Sequence, residues 1–171
     1  MKQIRYYIYD LASCSLYYFC QGNYTGKMPS DGEALKQMAK GLFYIHRQQF
    51  VNRDIKPSNI LISKNEPVQL MLANFSLCKA ITDLDTYSIE SGNNGDEQWM
   101  ATEILECFDE DVDDDGPAKT FSSDTWTLGC AFFYFLTRGI HPFGTNFDKI
   151  RYNMLVKQKP LVEFESKFKI Q

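Results

Sequence analysis

Residues 51–61 constrain the fold of this chain more than any other stretch. Between apolar residues they place an acid, Asp54, a base two residues later, Lys56, and an amide five residues later, Asn59. In this spacing Asp54 is suited to accept a proton from an attacking hydroxyl, and Lys56 to neutralise charge on a transferring phosphate. Asn59 offers a hard oxygen suited to Mg²⁺. The stretch is a candidate active-site loop, and the alternative is a solvated turn that holds a charge cluster.

Composition excludes several classes of protein. The 171 residues, 44% of them hydrophobic and 15% aromatic, are enough for one globular domain with a core. Five cysteines, an odd number without a C-x-x-C pair, indicate free thiols in a reducing compartment. The longest apolar run, residues 131–136, is too short to span a bilayer, and Lys2 and Arg5 are not followed by the long apolar core that we would expect of a signal peptide. We therefore expect a cytoplasmic chain without a membrane segment and without a nucleic-acid partner.

The acidity of the chain is local. The net charge is −4, and seven acidic residues lie between Glu106 and Asp115. Within this block, Asp111-x-Asp113-x-Asp115-Gly116 is similar to the start of an EF-hand loop, but its twelfth position is Ser122 rather than a bidentate Glu. The sequence favours a solvated insertion loop over a calcium site.

Regular elements are predicted on both sides of the candidate loop. Ser30 and Glu33 have the spacing of a capping box, and an apolar helical face follows at Leu35, Met38, Leu42 and Ile45. After the loop, residues 60–63 and 68–72 form a hairpin pattern around the turn 64–67. Further on, Asp124 opens the most apolar helix of the chain, which we expect to be buried and to end at Gly139. The tail from Phe147 reads as one or two amphipathic helical pieces.

These motifs together resemble a protein kinase. The loop is similar to the kinase catalytic loop H-R-D-x-x-x-x-N and matches R-D-x-K-P-x-N-I-L at seven positions. Residues 74–76, Asn-Phe-Ser, stand where kinases carry D-F-G, and residues 95–103 resemble the segment ending in A-P-E. Among kinases, residues 59–64, 74–79, 95–103 and 129–144 resemble most the inositol-requiring sensor kinase-nuclease of the unfolded protein response.

The resemblance implies a fold and its parts. The expected fold class is α+β, a mainly helical kinase large lobe with a short hinge strand and a catalytic-loop hairpin. No G-x-G-x-x-G and no strand lysine in a V-A-I-K context occurs, so we expect the small lobe to be largely absent. The implied segments are a hinge (8–16), the catalytic loop (51–61), a metal-loop position (74–76), an activation segment (77–103), an acidic insertion (106–116) and a buried helix (123–138).

The resemblance also implies site residues, with ATP and Mg²⁺ as cofactors. Asp54, Lys56 and Asn59 are the expected catalytic residues, and Asn59 and Asn74 the expected metal ligands. Arg53, Asp124 and Glu103 have expected structural roles, with Asp124 holding the backbone of the catalytic loop. The expected nucleotide contacts are Ile8, Asp10, Ala12, Lys56, Asn59, Leu61 and Asn74.

Three departures put catalysis in doubt. Asn52 stands where the family has His, Asn74 replaces the Asp that binds Mg²⁺, and Asp96 replaces a Thr beside the catalytic Asp, where a second carboxylate would repel Asp54. We therefore expect a serine/threonine kinase-like domain with weak or no activity, acting on a protein substrate or partner, with possible self-association. The alternatives are a non-catalytic interaction module of the pseudokinase type and a truncated gene product.

Overall fold

A computed structural model describes residues 11–81, 96–109 and 120–156 of the chain. Within these ranges helices and short strands alternate, so the predicted mixture of helix and strand is confirmed. Several predicted features lie outside the described residues. They are Ile8 and Asp10 of the hinge, residues 82–95 of the activation segment, residues 110–116 of the acidic insertion, and the tail after residue 156.

The described chain starts with a short strand and a short helix, β1 (Ala12–Ser15) and α1 (Leu16–Cys20). The helix begins where the Ser15 hydroxyl accepts a hydrogen bond from the Tyr18 N–H, which satisfies one of the unpaired donors of the first turn. The strand β1 lies within residues 8–16, which the sequence assigned to the hinge. Leu16 is completely buried and anchors α1 in the core.

Helix α2 (Asp31–Arg47) leads into the candidate loop, as the sequence predicts. Its N-cap is Ser30, whose hydroxyl accepts from the Glu33 N–H. The second half of the predicted capping box is wrong, because the Glu33 carboxylate binds Lys36 and Gln37 instead. The apolar face of the helix is confirmed, except that Ala34 and not Leu35 is the buried residue at its start. The buried residues are Ala34, Met38, Leu42 and Ile45.

Two small antiparallel sheets surround the loop. The three-stranded sheet has the order β1, β3 (Ile60–Ser63) and β4 (Leu70–Leu72), and β3 and β4 are the predicted hairpin with a shorter return strand. The second sheet pairs β2 (Phe50–Val51) with β5 (Lys79–Ala80). This pairing ties the start of the candidate loop to the residues just after the Asn-Phe-Ser triplet.

Three more helices complete the described fold: α3 (Thr102–Asp109), α4 (Phe121–Leu136) and α5 (Phe147–Leu155). The apolar helix predicted at 123–138 is α4, which packs against α1 and α2. Its residues Ala131, Tyr134 and Phe135 are completely buried. Helix α4 is not buried all round, since Gly129 and Leu136 are exposed. A second apolar cluster joins α3 to α5 and consists of Met100, Ala101, Ile104, Leu105, Ile150 and Met154.

The end of α4 differs from the prediction that Gly139 caps it. The left-handed residue that follows the helix is Arg138, with φ of 55°, and Gly139 comes one position later with φ of 109°. The Arg138 N–H donates to the Phe135 carbonyl and the Gly139 N–H to the Tyr134 carbonyl, which is the Schellman arrangement. The Arg138 guanidinium donates to the Phe135 carbonyl and to both carboxylate oxygens of Asp31.

Two glycines of this region are expected to respond oppositely to alanine. Gly139→Ala should lower the free energy of unfolding by about 1–3 kcal/mol, because the residue has a positive φ and its Cβ would lie 3.3 Å from the Cys20 carbonyl oxygen. Gly129→Ala should raise it by about 1 kcal/mol, since this exposed helical position has open space around a Cβ. Urea unfolding of both variants measures the difference. A stabilised Gly139→Ala variant would contradict the assignment of the helix end.

The cysteines of the described residues support the expectation of free thiols. Cys14, Cys20, Cys78 and Cys130 are unpaired. Burial raises the pKa of both Cys20 and Cys130 to about 12, so that these two thiols stay protonated at neutral pH. Among the described helices, none has the length and apolar character needed to cross a membrane.

Candidate functional site

The candidate site centres on the carboxylate of Asp54, which is only 8% exposed. Its Oδ1 lies 3.1 Å from Lys56 Nζ. Its Oδ2 accepts hydrogen bonds from Asn59 Nδ2 at 2.7 Å and from Asn74 Nδ2 at 3.1 Å. The fold therefore brings together the four residues expected to meet there, from the loop itself and from the triplet after β4. A buried carboxylate is costly unless it is paired, and these three donors supply the pairing.

The backbone of the loop is held by Asp124, which is 3% exposed at the start of α4. Its Oδ2 accepts from the Asn52 N–H at 2.7 Å, and its Oδ1 from the Arg53 N–H at 2.9 Å. Arg53 has a φ of 73°, a left-handed conformation that is uncommon for a residue with a long side chain. The two hydrogen bonds to Asp124 stabilise this turn of the backbone, which presents Asp54 to the site.

Two residues contribute to this arrangement in ways that the sequence did not reveal. His46, in the last turn of α2, places Nε2 3.0 Å from Asp124 Oδ2, so three groups converge on one buried carboxylate. Asn52 is 1% exposed, and its side-chain oxygen accepts from the Asp54 N–H at 3.1 Å. The only sequence signal for His46 was its place at the end of the helix that leads into the loop. For Asn52 the signal was its adjacency to the Arg-Asp pair.

Lys56 also lies near a second carboxylate. Lys56 Nζ is 3.9 Å from Asp96 Oδ2, and Asp96 is the N-cap of a short 3₁₀ turn, Glu97–Trp99. The sequence led us to expect repulsion between Asp54 and Asp96. In the structure a positively charged ammonium group lies within 4 Å of both, which offsets that repulsion.

The Asn-Phe-Ser triplet is positioned by backbone pairing on both sides. The Ala73 N–H donates to the Asn59 carbonyl at 2.9 Å, and β5, which begins three residues after Ser76, pairs with β2. Asn74 has a φ of 59°, and Asn is among the residues that adopt this left-handed region most readily. Its side-chain oxygen accepts from the Ser76 hydroxyl at 2.7 Å. Both polar atoms of the Asn74 amide are therefore used inside the protein.

This donor set does not fit Mg²⁺, which usually takes one or two carboxylates and demands near-ideal octahedral geometry. The carboxylate oxygens of Asp54, at the centre of the site, are already paired with Lys56 and with the amides of Asn59 and Asn74. Of the two polar atoms of an amide, only the nitrogen can donate to a carboxylate, so the oxygen of Asn74 is turned to Ser76. Asn59 likewise turns its amide nitrogen to Asp54, where it donates to the carboxylate and to the backbone carbonyl. Within the described ranges, no group of three His, Cys, Asp or Glu residues could hold a metal ion.

The remaining predicted site residues are spread around this centre. Ala12 and Leu61 lie on the neighbouring strands β1 and β3, where Leu61 is in register with Ser15. Their expected contact with nucleotide stays a prediction, as does that of Ile8 and Asp10, which lie outside the described part of the chain. Glu103 is exposed and lies in the first turn of α3.

The loop carries an acid, a lysine and an amide, and Asp124 at the start of α4 binds its backbone. This arrangement defines a site of the protein-kinase class. The chain belongs to the protein kinase domain family, whose family model matches residues 6–171. Kinases of this family generally use ATP and Mg²⁺ and act on protein substrates.

Curated relatives place the chain near one group of kinases. It is 38% identical over 114 residues to the serine/threonine-protein kinase/endoribonuclease IRE2 of Homo sapiens, covering 64% of this chain and 12% of that protein. It is 32% identical over 123 residues to the serine/threonine-protein kinase/endoribonuclease ire-1 of Caenorhabditis elegans, covering 68% of this chain and 12% of that protein. The predicted resemblance to the sensor kinase-nucleases is thus confirmed. The chain spans about an eighth of the length of these relatives.

Similarity also extends beyond that group. The cell division control protein 7 of Schizosaccharomyces pombe is 35% identical over 107 residues, which cover 61% of this chain and 9% of the yeast protein. This breadth shows that the shared features are those of a kinase domain in general.

Proposed function

We propose that this chain is the large-lobe portion of a serine/threonine kinase-like domain of the unfolded-protein-response sensor type, in which phosphoryl transfer is weak or lost. The observation that carries the proposal is the Asp54 carboxylate, held in kinase-like fashion on its loop but closed off by Lys56, Asn59 and Asn74. The loop geometry supports kinase ancestry, and the closure supports impaired catalysis. The domain would act on the cytosolic side of the cell.

The contacts of Asp54 and the uncharged side chain of Asn74 support weak phosphoryl transfer. Asp54 is the group that would take the proton of an attacking hydroxyl, but its Oδ2 already accepts two hydrogen bonds and its Oδ1 faces an ammonium. Both oxygens of this carboxylate already have partners, which leaves fewer lone pairs free to accept the proton of a substrate hydroxyl. Asn74 contributes no negative charge, and losing one such preorganised electrostatic group typically costs on the order of 10²–10³ in rate.

Nucleotide binding is a separate part of the proposal. Family membership supports a site for ATP bounded by the hinge and by Leu61, with Lys56, Asn59 and Asn74 toward the phosphates. Ala12 on β1 and Leu61 on β3 lie on paired strands of one sheet, which supports a shared wall for the adenine. Ile8 and Asp10 complete the proposed contacts.

A non-catalytic interaction module is the second candidate, and the contact between Asn74 and Asp54 favours it. In that case the domain would bind a protein partner, or a second copy of itself, without transferring phosphate. Both candidates keep the same fold and differ in one measurable property, the transfer of phosphate.

Two measurements on the whole chain test this proposal. We expect the transfer of labelled phosphate from Mg-ATP to a generic protein substrate to be weak, close to the level of the Asp54→Ala variant. We expect ATP at about 100 times its dissociation constant to stabilise the fold by roughly 2.7 kcal/mol, a rise of a few degrees in Tm.

A contrary result in either measurement would contradict a different part of the proposal. Phosphate transfer that disappears in Asp54→Ala would show an active kinase. An unchanged Tm in a cooperatively unfolding chain would remove nucleotide binding and leave the interaction module. ADP and GTP serve as the ligand controls.

A further inference from the structure

Asn74 bridges two segments that are distant in sequence. Its Nδ2 donates to Asp54 Oδ2 at 3.1 Å, across twenty residues of chain, and its Oδ1 accepts from Ser76. Asn59 donates to the same Asp54 oxygen at 2.7 Å and also to the Asp54 backbone carbonyl at 2.8 Å. One oxygen atom of Asp54 is thus the meeting point of the catalytic loop and the Asn-Phe-Ser triplet.

An aspartate at position 74 could not make this contact. A carboxylate has no donor, so it would place a second negative charge within about 3 Å of Asp54 Oδ2. Two carboxylates at that distance repel each other, and Lys56, which lies on the other oxygen of Asp54, offsets only part of that repulsion. A shared proton or a bound cation between them would remove it. Asparagine has the same shape as aspartate, but it carries no charge and its amide nitrogen can donate to Asp54.

The backbone around Asn74 allows little adjustment. The preceding residue, Ala73, is hydrogen-bonded to the Asn59 carbonyl, and Asn74 itself has a φ of 59°. The side chain therefore starts from a defined position beside Asp54. The contact is the result of this placement and of the amide chemistry together.

We propose that Asp54, Asn59 and Asn74 form a metal-independent lock, in which the Asn74 amide does for Asp54 what a bound divalent cation would do beside an aspartate at position 74. The lock joins the catalytic loop to the triplet without any ion. This inference goes beyond the proposed function, because it holds whether or not nucleotide binds and whether or not phosphate is transferred.

The test follows thermal unfolding of the whole chain in EDTA and in magnesium chloride, with no nucleotide present. Wild-type Tm should be the same in both solutions. Asn74→Asp should lower Tm by several degrees in EDTA, and Mg²⁺ should recover much of that loss. The matched control is Asn65→Asp, which adds the same charge in the exposed turn between β3 and β4 and should respond weakly to either solution.

A double-mutant cycle with Asp54→Asn isolates the pair. When the charge of Asp54 is removed, the decrease in Tm that Asn74→Asp causes in EDTA should be only a small part of the decrease in the wild-type background. If Asn74→Asp alone does not fold in EDTA, folding of the double variant is the corresponding result.

Three results would overturn the lock. They are an Asn74→Asp variant as stable as wild type in EDTA, an equal loss in both backgrounds of the cycle, or a wild-type Tm that rises with Mg²⁺ as much as that of Asn74→Asp. None of these depends on ATP binding, so a failure of the lock and a failure of the proposed function are distinguishable.

Discussion

Asp124→Ala is expected to lower the free energy of unfolding by about 2–5 kcal/mol, the largest effect of any single polar substitution we propose. The variant removes both acceptors of the Asn52 and Arg53 backbone N–H groups, which lie 2.7 and 2.9 Å from the carboxylate. Each buried donor left without a partner costs about 1–3 kcal/mol. The midpoint of urea unfolding measures the loss.

Asp31→Ala is the matched control for that experiment. Asp31 also accepts two hydrogen bonds, from Arg138 Nη2, but the pair is about half exposed to solvent. Exposed ion pairs contribute about 0–1 kcal/mol, so the control should change little. Two variants of similar stability would mean that Asp124 does not hold the backbone of residues 52 and 53 in the way described.

Lowering the pH is expected to destabilise the protein through His141. The ring is 2% exposed, and its centroid lies 4.6 Å from that of Trp99. Its Nδ1 accepts from the Phe143 N–H, which requires an unprotonated nitrogen. Burial lowers the pKa of His141 from 6.5 to about 4, and a hydrogen bond with the Gln98 backbone acts in the opposite direction as the smaller effect.

These pKa values determine whether the protein gains or loses stability as the pH falls. Because the folded protein holds the neutral ring, the contribution of His141 is fully present above pH 6.5 and is lost as the pH falls through about 4. The interval between these values corresponds to roughly 3 kcal/mol of unfolding free energy. Unfolding in urea at several pH values between 7 and 4 measures the slope.

Other groups also titrate in this range, so a variant is needed to isolate His141. His141→Asn keeps an acceptor for the Phe143 N–H and removes the titrating ring. Its stability should fall less steeply than that of wild type between pH 6.5 and 4, even if it is less stable at pH 7. Parallel curves for the two proteins would contradict the assignment of a buried neutral histidine.

Local sequence was sufficient for several parts of the fold. The N-cap at Ser30, the apolar face of α2 and the hairpin of β3 and β4 all depend on residues a few positions apart, so their patterns are readable along the chain. The contact between Asp54 and Asn59 belongs to the same kind, since one short loop carries both residues. Membership of the kinase family rests on motifs of this local kind.

Other features were beyond any local pattern. The sequence placed the end of α4 at Gly139, whereas the left-handed position falls on Arg138, whose guanidinium binds Asp31, more than a hundred residues away. The pairing of β2 with β5 involves only two residues in each strand, too few for a recognisable alternation. His46 joined the site because α2 and α4 pack together and bring it to Asp124.

The sequence by itself determined which groups are available: an aspartate, a lysine and two asparagines in kinase order, with no carboxylate at position 74. Only the tertiary structure decided what those groups bind. An asparagine can offer either its oxygen to a cation or its nitrogen to a carboxylate, and the residue type alone does not choose between them. The choice is made by the neighbour that the fold brings within about 3 Å, and for Asn74 that neighbour is the buried carboxylate of Asp54.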